Sequence, residues 1–314
     1  MNNNIKSILV ENTADELRDV FLRCDADLLE GAREIRIRQG LPLTVTAHGG
    51  EFFIGQAGGR HRRADAAFRP KAMHIDTMLS KFSNHSLYAY DTEIKNGYIT
   101  IPGGHRIGLA GRVTVEDGRI KTIKHINGLS IRMARQVLGA ADGIIPTIAG
   151  SYVRNTIIVS PPGWGKTTML RDAVRQLSQA GYNVAVVDER SEIGGCHMGV
   201  AQNDLGPRTD VLDAAPKADG MMLALRALSP QVIAVDEIGS TEDVAAIENM
   251  AGCGVAVLCT LHGRNMEDLQ RRPVLAPLID NKIFERFIFL TDKPTVGSIC
   301  AIYNENLEVI GNGA

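Results

Sequence analysis

Residues 155–177 read NTIIVSPPGWGKTTMLRDAVRQL. An apolar run breaks at prolines and glycines and resumes with helical spacing. Leu170, Ala173, Val174 and Leu177 fall on one helix face, and the run before the break reads as a strand. Gly163, Gly165, Lys166 and Thr167 match the end of the phosphate-binding pattern G-x-x-x-x-G-K-[ST]. The residue types follow from the chemistry. Glycines let backbone N–H groups turn inward onto anionic oxygens. The helix behind them offers its positive N-terminus. Lys166 reaches the β- and γ-phosphates, the Thr167 hydroxyl ligates Mg²⁺, and Thr168 stands near the α-phosphate. Ser160 takes the place of the motif's first glycine, which a serine with negative φ tolerates. Pro161 and Pro162 stiffen the same turn, and Trp164, the single tryptophan, completes the loop without a separate role.

The rhythm around this unit fixes the fold class. YNVAVVDER, QVIAVDEIG and GVAVLCTLHG are further apolar strands separated by helical patterns, which implies a mainly parallel sheet covered on both faces. RFIFLT, GSICAIY and LEVIG finish that sheet with a hairpin. Three strands end in chemistry. Asp236 and Glu237 close VIAVDEIG, the shape of a Walker B element: Asp236 holds Mg²⁺ through its water shell and Glu237 polarises the attacking water. The competing reading is an acidic cap on a helix that begins near Ser240. Asp188, Glu189 and Glu192, with Arg190 between them, form another acidic strand end. Thr260 and His262 end a third, placed to sense the γ-phosphate by hydrogen bonding, although a histidine there is equally compatible with a structural role.

The N-terminal part has a different texture. Thr13 and Glu16 have capping-box spacing before a helix over 13–24, whose apolar face is Leu17, Val20, Phe21 and Cys24. Residues 34–54 and 97–134 alternate apolar and polar around Gly-Leu-Pro and Gly-Gly turns, and a helix lies near 70–83. Residues 1–138 therefore read as a smaller α+β domain with a part-solvated sheet, 139–150 as a Gly-rich linker, and 151–314 as the nucleotide domain.

With 314 residues and a net charge of −2, the chain has room for two domains and no global basic field toward nucleic acid. Five cysteines without a C-x-x-C exclude a disulfide framework, and the C-x-x-H at 259–262 lacks a second ligand pair. The N-terminus lacks a signal-peptide pattern, so a cytoplasmic protein is expected, reaching a membrane through partners.

REIRIRQGLPL, YITIPGGHRIGLAGRV, PPGWGKTTMLRD, VDERSEI and LRALSPQVIAVDEIG recur in order across both domains. Together they resemble the stage III sporulation AA family, relatives of the type II, type IV and pilus secretion ATPases. The resemblance implies a RecA-like P-loop ATPase domain behind a smaller α+β domain. It also implies a homo-oligomer, a hexameric ring with active sites between subunits, that uses ATP and Mg²⁺. VDERSE stands in the place of the family's acidic box, which makes Glu189 a catalytic carboxylate beside Glu237. TLH stands in the place of its His box, which gives His262 a role in the site. LRALSP points to Arg226 as a phosphate or subunit-interface contact. EDGRI and SIRMAR point to Arg119 and Arg132, with Arg112 behind them, as arginines acting in trans. The partner implied is the cytoplasmic face of a membrane-embedded sporulation channel between mother cell and forespore. A nucleic-acid partner is not expected, since no nucleic-acid module is appended and aromatics make up only 5% of the chain. Two alternatives stay open: a RecA-like nucleic-acid motor, and an ATP-dependent assembly switch with negligible hydrolysis. A GTPase is disfavoured because NKIF at 281–284 lacks the aspartate that reads guanine.

Overall fold

Alternating side chains build the first sheet. The computed structural model describes residues 5–86 and 90–312 and divides at Arg135/Gln136 into two units. Unit 1 opens with helices α1 (Ile5–Asn12), α2 (Asp15–Arg23) and α3 (Ala26–Glu30). Strands β1 (Glu34–Arg38), β2 (Thr44–Ala47), β3 (Gly50–Ile54) and β4 (Arg60–His61) come next. Then come α4 (Ala72–Phe82), α5 (Asp91–Lys95), β5 (Tyr98–Ile101), β6 (His105–Glu116) and β7 (Arg119–Arg132). The sheet is antiparallel in the order β4-β3-β2-β1-β7-β6-β5. Ile35, Ile37, Ile107, Leu129 and Ile131 share one core with Leu17, Val20, Phe21, Ile75 and Met78 from the helices. The intervening residues Arg36, Ser130 and Gly108 stand in register on the other face.

The helix expected over 13–24 is shorter, and its capping box does not form. Thr13 directly follows α1, and its hydroxyl donates back to the Leu9 carbonyl at 2.7 Å. Ala14 is the N-cap of α2, and Glu16 instead pairs with Lys71 at 2.9 Å.

Unit 2 contains α6 (Ile145–Ile148), β8 (Thr156–Ser160), α7 (Lys166–Gln179), β9 (Val184–Asp188), β10 (Thr209–Asp213), α8 (Lys217–Ala227) and β11 (Val232–Val235). It continues with α9 (Thr241–Gly252), β12 (Ala256–His262), α10 (Met266–Gln270), α11 (Ala276–Asp280), β13 (Arg286–Thr291), β14 (Ser298–Asn304) and β15 (Val309–Asn312). The strand order is β10-β9-β11-β12-β8-β13-β14-β15. Pairing is parallel from β10 to β13 and antiparallel for the last two strands. Every residue of β8, β9 and β11 is buried, because successive side chains enter different cores. Ile157, Val159, Val187 and Val235 pack with Met221 and Ile247 on one face. Ile158, Val186 and Ala234 pack with Leu170, Ala173, Val174 and Leu177 on the other.

The stretch 139–150 is not a linker in the structure. Ala141, Ile144 and Ile148 are fully buried in the core under α7, and the Ala141 N–H donates to the buried Asp172 carboxylate at 2.9 Å. Strand β10 has no apolar run to announce it, because it sits at a sheet edge with a half-exposed pattern.

Candidate functional site

Because β8, β9, β11 and β12 are parallel neighbours, their C-terminal ends meet at one edge. Ser160 stands opposite His262, and Val235 lies in register with Val187 and Cys259, which brings Asp236 beside Asp188. Ligands of open α/β sheets bind at such an edge.

The loop from Ser160 to Gly165 turns through two left-handed positions, Gly163 at φ +77° and Gly165 at φ +86°, a conformation glycine adopts without a Cβ penalty. Ser160 is not a positive-φ position. It is buried, and its hydroxyl donates to the Pro161 carbonyl at 2.9 Å. Pro162 and Gly163 are exposed, while Pro161 and Trp164 are half-buried. Helix α7 begins at Lys166 with no side-chain cap on its first turn, leaving N–H groups aimed as an anion site requires. Lys166 Nζ donates to the carbonyls of Ser160 at 3.0 Å and Pro161 at 3.2 Å. Burial lowers its pKa, while Glu237 and Asp236 oppose that shift.

Thr167 Oγ1 donates to Asp236 Oδ2 at 2.7 Å. The other oxygen of Asp236 accepts from the Thr260 hydroxyl, which in turn accepts the Glu237 N–H at 2.9 Å. Thr260 is therefore a buried bracket behind the two acids rather than the γ-phosphate contact expected from its position. Asp236 and Glu237 are not helix caps: Ser240 and Asp243 form the capping box of α9. Glu237 has φ +50°, a sparsely populated backbone state that non-glycine residues hold mainly where surrounding structure imposes it. Its carboxylate lies 2.7 Å from His262 Nε2 and 3.7 Å from Arg190. His262 Nδ1 is 3.0 Å from Lys166 Nζ. A lysine ammonium only donates, so Nδ1 accepts and Nε2–H donates to Glu237. The imidazole thus bridges the phosphate-loop lysine and the strand-end glutamate.

Asp188 is buried. Oδ1 accepts the Glu192 N–H at 2.8 Å, and Oδ2 accepts those of Ile193 at 3.0 Å and Gly194 at 2.7 Å. Burial pushes its carboxyl up to about 6, against the downward pull of those backbone bonds. Glu189 pairs with Lys217 at 2.6 Å. A cleft lined by Glu189, Arg190, Glu192, Asp236 and Glu237 lies at this end of the sheet.

Two groups of residues were not legible in the sequence. A cleft of about 440 Å³ on the other side of the loop is lined by Val137, Ala140, Gly165, Thr168 and Met169, together with 295–298 of the β13–β14 turn. An added Cβ on Gly165 would meet Gly297 Cα at 3.3 Å, so the close approach of the two turns depends on glycine. The second is Arg171, whose guanidinium reaches from α7 to the turn after β9.

Arg226 is not brought to the loop within the chain. It is exposed in the last turn of α8. Lys217, which meets Glu189, opens the same helix about 13 Å away along the axis. The N-terminal arginines belong to unit 1. Arg132 closes β7, with Nε 3.8 Å from Glu34. With Arg36, Arg38 and Ser130 it lines a groove of about 330 Å³ on the sheet's open face. Arg112 lies opposite Lys124, and Arg119 opposite Glu116; the Arg119 side chain is outside those described.

Comparison with known proteins shows the family and the fold. The chain is 38% identical over 313 residues to stage III sporulation protein AA of Bacillus subtilis (strain 168), covering 98% of this chain and 97% of that protein. Among solved structures it is similar to the Legionella pneumophila ATPase DotB (TM-score 0.55, 19% identity, 86% of this chain and 76% of that one). It is also similar to the pilus retraction motor PilT solved with ADP (TM-score 0.55, 19% identity, 82% and 74%). The fold is thus that of the secretion and pilus ATPases. The description "Sporulation stage III, protein AA" matches residues 2–310, and the chain belongs to that family.

Proposed function

We propose that the chain binds ATP with Mg²⁺ and hydrolyses it, working as a homo-oligomeric ring that supplies conformational work to a sporulation membrane channel. One arrangement carries the reading: Thr167 on Asp236, with Lys166 linked through His262 to Glu237. The donors fit Mg²⁺, since a threonine hydroxyl and an aspartate carboxylate are hard oxygen ligands. Thr167 and Asp236 would hold the ion, which neutralises charge on the β- and γ-phosphates when bound.

The chain's own residues account for the rest. Lys166 exchanges the carbonyls of Ser160 and Pro161 for phosphate oxygens, its charge then meeting a better partner. The exchange frees His262 Nδ1, so the histidine can report phosphate occupancy to Glu237. Glu237, held by His262 and Arg190, takes the proton of the attacking water. Glu189 adds a second carboxylate. The cleft of Val137, Met169 and Val296 supplies apolar walls for the base. In the ring, Arg132, Arg119 and Arg226 are interface arginines that neutralise charge on the γ-phosphate of a neighbouring site. The ring sits in the cytoplasm and meets the cytoplasmic face of the channel complex. Among the described residues no helix is long and apolar enough to cross a membrane.

The test is ATP turnover by wild type and Glu237→Gln, together with the oligomeric mass with and without ATP and Mg²⁺. Wild-type turnover that vanishes in the variant, with nucleotide still bound, supports the reading. A strict monomer under all conditions sinks the shared site, and an assembled wild type that never turns over leaves an assembly switch. Strong stimulation by single-stranded DNA would make the chain a nucleic-acid motor instead.

A further inference from the structure

The turn at 192–194 is held from two sides. On its N–H side, Asp188 accepts from all three peptides. On its C=O side, Arg171 donates from Nε to the Ile193 carbonyl at 2.8 Å and from Nη2 to the Glu192 carbonyl at 2.5 Å. The Asn203 amide adds a bond to the Ile193 carbonyl at 2.8 Å. Ile193 itself is fully buried in the core under α7. A guanidinium fork on two consecutive carbonyls fixes direction as well as distance, which a single-point donor does not.

The origin of that fork matters. Arg171 lies on α7 four residues after Thr167, so the two share a helix face. Thr167 grips Asp236 at the end of β11, and Arg171 grips the turn after β9. One face of the phosphate-loop helix thus holds both acidic strand ends. Glu189 lies in the segment that this turn closes, directly after Asp188 and three residues before Glu192. Its own side chain contacts Lys217 of α8, and α7 is linked to its segment through the turn.

We propose that Arg171 is a positioning residue that ties the phosphate-loop helix to the 192–194 turn and so sets where Glu189 stands relative to the bound phosphates. This rests on the hydrolytic reading of the site. The buried guanidinium also lies in the field of Asp188, Asp236 and Glu192, but its hydrogen bonds go to the turn. It acts through two backbone carbonyls, and its effect is on geometry.

Arg171→Gln and Arg171→Lys in the full chain test it. The expected result for Arg171→Gln is a kcat lower by about 10- to 100-fold, the scale of an ångström-sized misplacement, with KM for ATP within about threefold of wild type. Lysine, which keeps the charge but not the fork, falls between. The double variant Arg171→Gln/Glu189→Gln turns over no more slowly than Glu189→Gln alone, because a residue acting through another adds nothing once that other is gone. Amide hydrogen exchange gives a readout independent of turnover. In Arg171→Gln the 192–194 amides exchange faster, while those of 170–177 in α7 keep their protection. Additive losses in the double variant, or unchanged exchange at 192–194, overturn the proposal. If wild type hydrolyses no ATP, the hydrolytic reading fails and the exchange experiment still decides whether Arg171 holds the turn. If glutamine unfolds the chain, the lysine variant carries both measurements.

Discussion

Two Asp-Glu pairs stand at the ends of adjacent strands of the same sheet, Asp188-Glu189 at the end of β9 and Asp236-Glu237 just after β11. Their preceding runs, VAVV and VIAV, are almost interchangeable. Their fates differ. Asp188 accepts from three backbone N–H groups, whereas Asp236 accepts from the hydroxyls of Thr167 and Thr260. The cause lies in the path of the chain beyond each pair. After Glu189 the chain folds back through Ser191 at φ +52° and Gly195 at φ +57°, wrapping its own peptides around Asp188. After Glu237 it runs directly into the capped helix α9, leaving Asp236 facing the phosphate loop. An aspartate at a strand end is thus a bracket or a ligand according to where the next five residues go.

The comparison breaks most visibly at the glutamates. Glu237→Gln is expected to lower kcat by about 10² to 10⁴, the range for removing a general base, and Glu189→Gln by less. Single-turnover hydrolysis with saturating nucleotide measures both, and a larger loss at Glu189 would reverse their roles. The aspartates should separate in the opposite sense. Asp188→Ala strips the acceptor from three backbone N–H groups and is expected to cost about 3 kcal/mol of stability in urea unfolding. Asp236→Ala leaves the half-buried Thr167 hydroxyl within reach of water but takes the acceptor from the buried Thr260 hydroxyl, which still accepts from the Glu237 N–H. It should cost about 1–2 kcal/mol, less than Asp188→Ala, while weakening Mg²⁺-dependent turnover. Equal destabilisation by the two would erase the distinction.

What the sequence made legible was local. Gly163, Gly165, Lys166 and Thr167 announce themselves because phosphate contact needs those residue types at that spacing, and the apolar runs announce a buried parallel sheet. What it hid was non-local. The Thr260 hydroxyl reads the same whether it faces a ligand or a neighbouring strand's carboxylate, and only the β11–β12 pairing decides. Arg226 sits, by its motif, in the last turn of a helix whose other end meets the site. Residues 139–150 look like a linker because they are small, yet Ala141, Ile144 and Ile148 are core. Nothing near Arg171 in sequence marks the turn it holds 21 residues on.

A smaller effect tests Asp188 by pH. Burial raises the Asp188 carboxyl from 3.8 to about 6, so between those values the native state binds its proton more tightly than the unfolded chain. The residue's contribution to stability therefore grows as pH falls from about 6 toward 4, and does not vary with pH above that window. The gap between wild type and Asp188→Ala in urea unfolding should widen on going from pH 7 to pH 5, by at most about 3 kcal/mol at full protonation. A gap that narrows would mean the three N–H groups outweigh burial and hold the carboxyl down.

The smallest effect sharpens the comparison from the ligand side. Thr260 is fully buried, and its one hydroxyl serves both members of the second pair, donating to Asp236 and accepting from the Glu237 N–H. Thr260→Val keeps the shape and removes both bonds, which should cost about 1–2 kcal/mol of stability for the buried N–H left without an acceptor. It should also lower kcat more than it raises KM for ATP, because the left-handed backbone at Glu237 loses a support while Lys166 keeps its own contacts. Thr260→Ser, which restores the hydroxyl without the methyl, should recover most of the kcat. If valine lowers stability but leaves kcat intact, Thr260 is a bracket in the sense that Asp188 is, and the Glu237 conformation is held by its contacts with His262 and Arg190 alone.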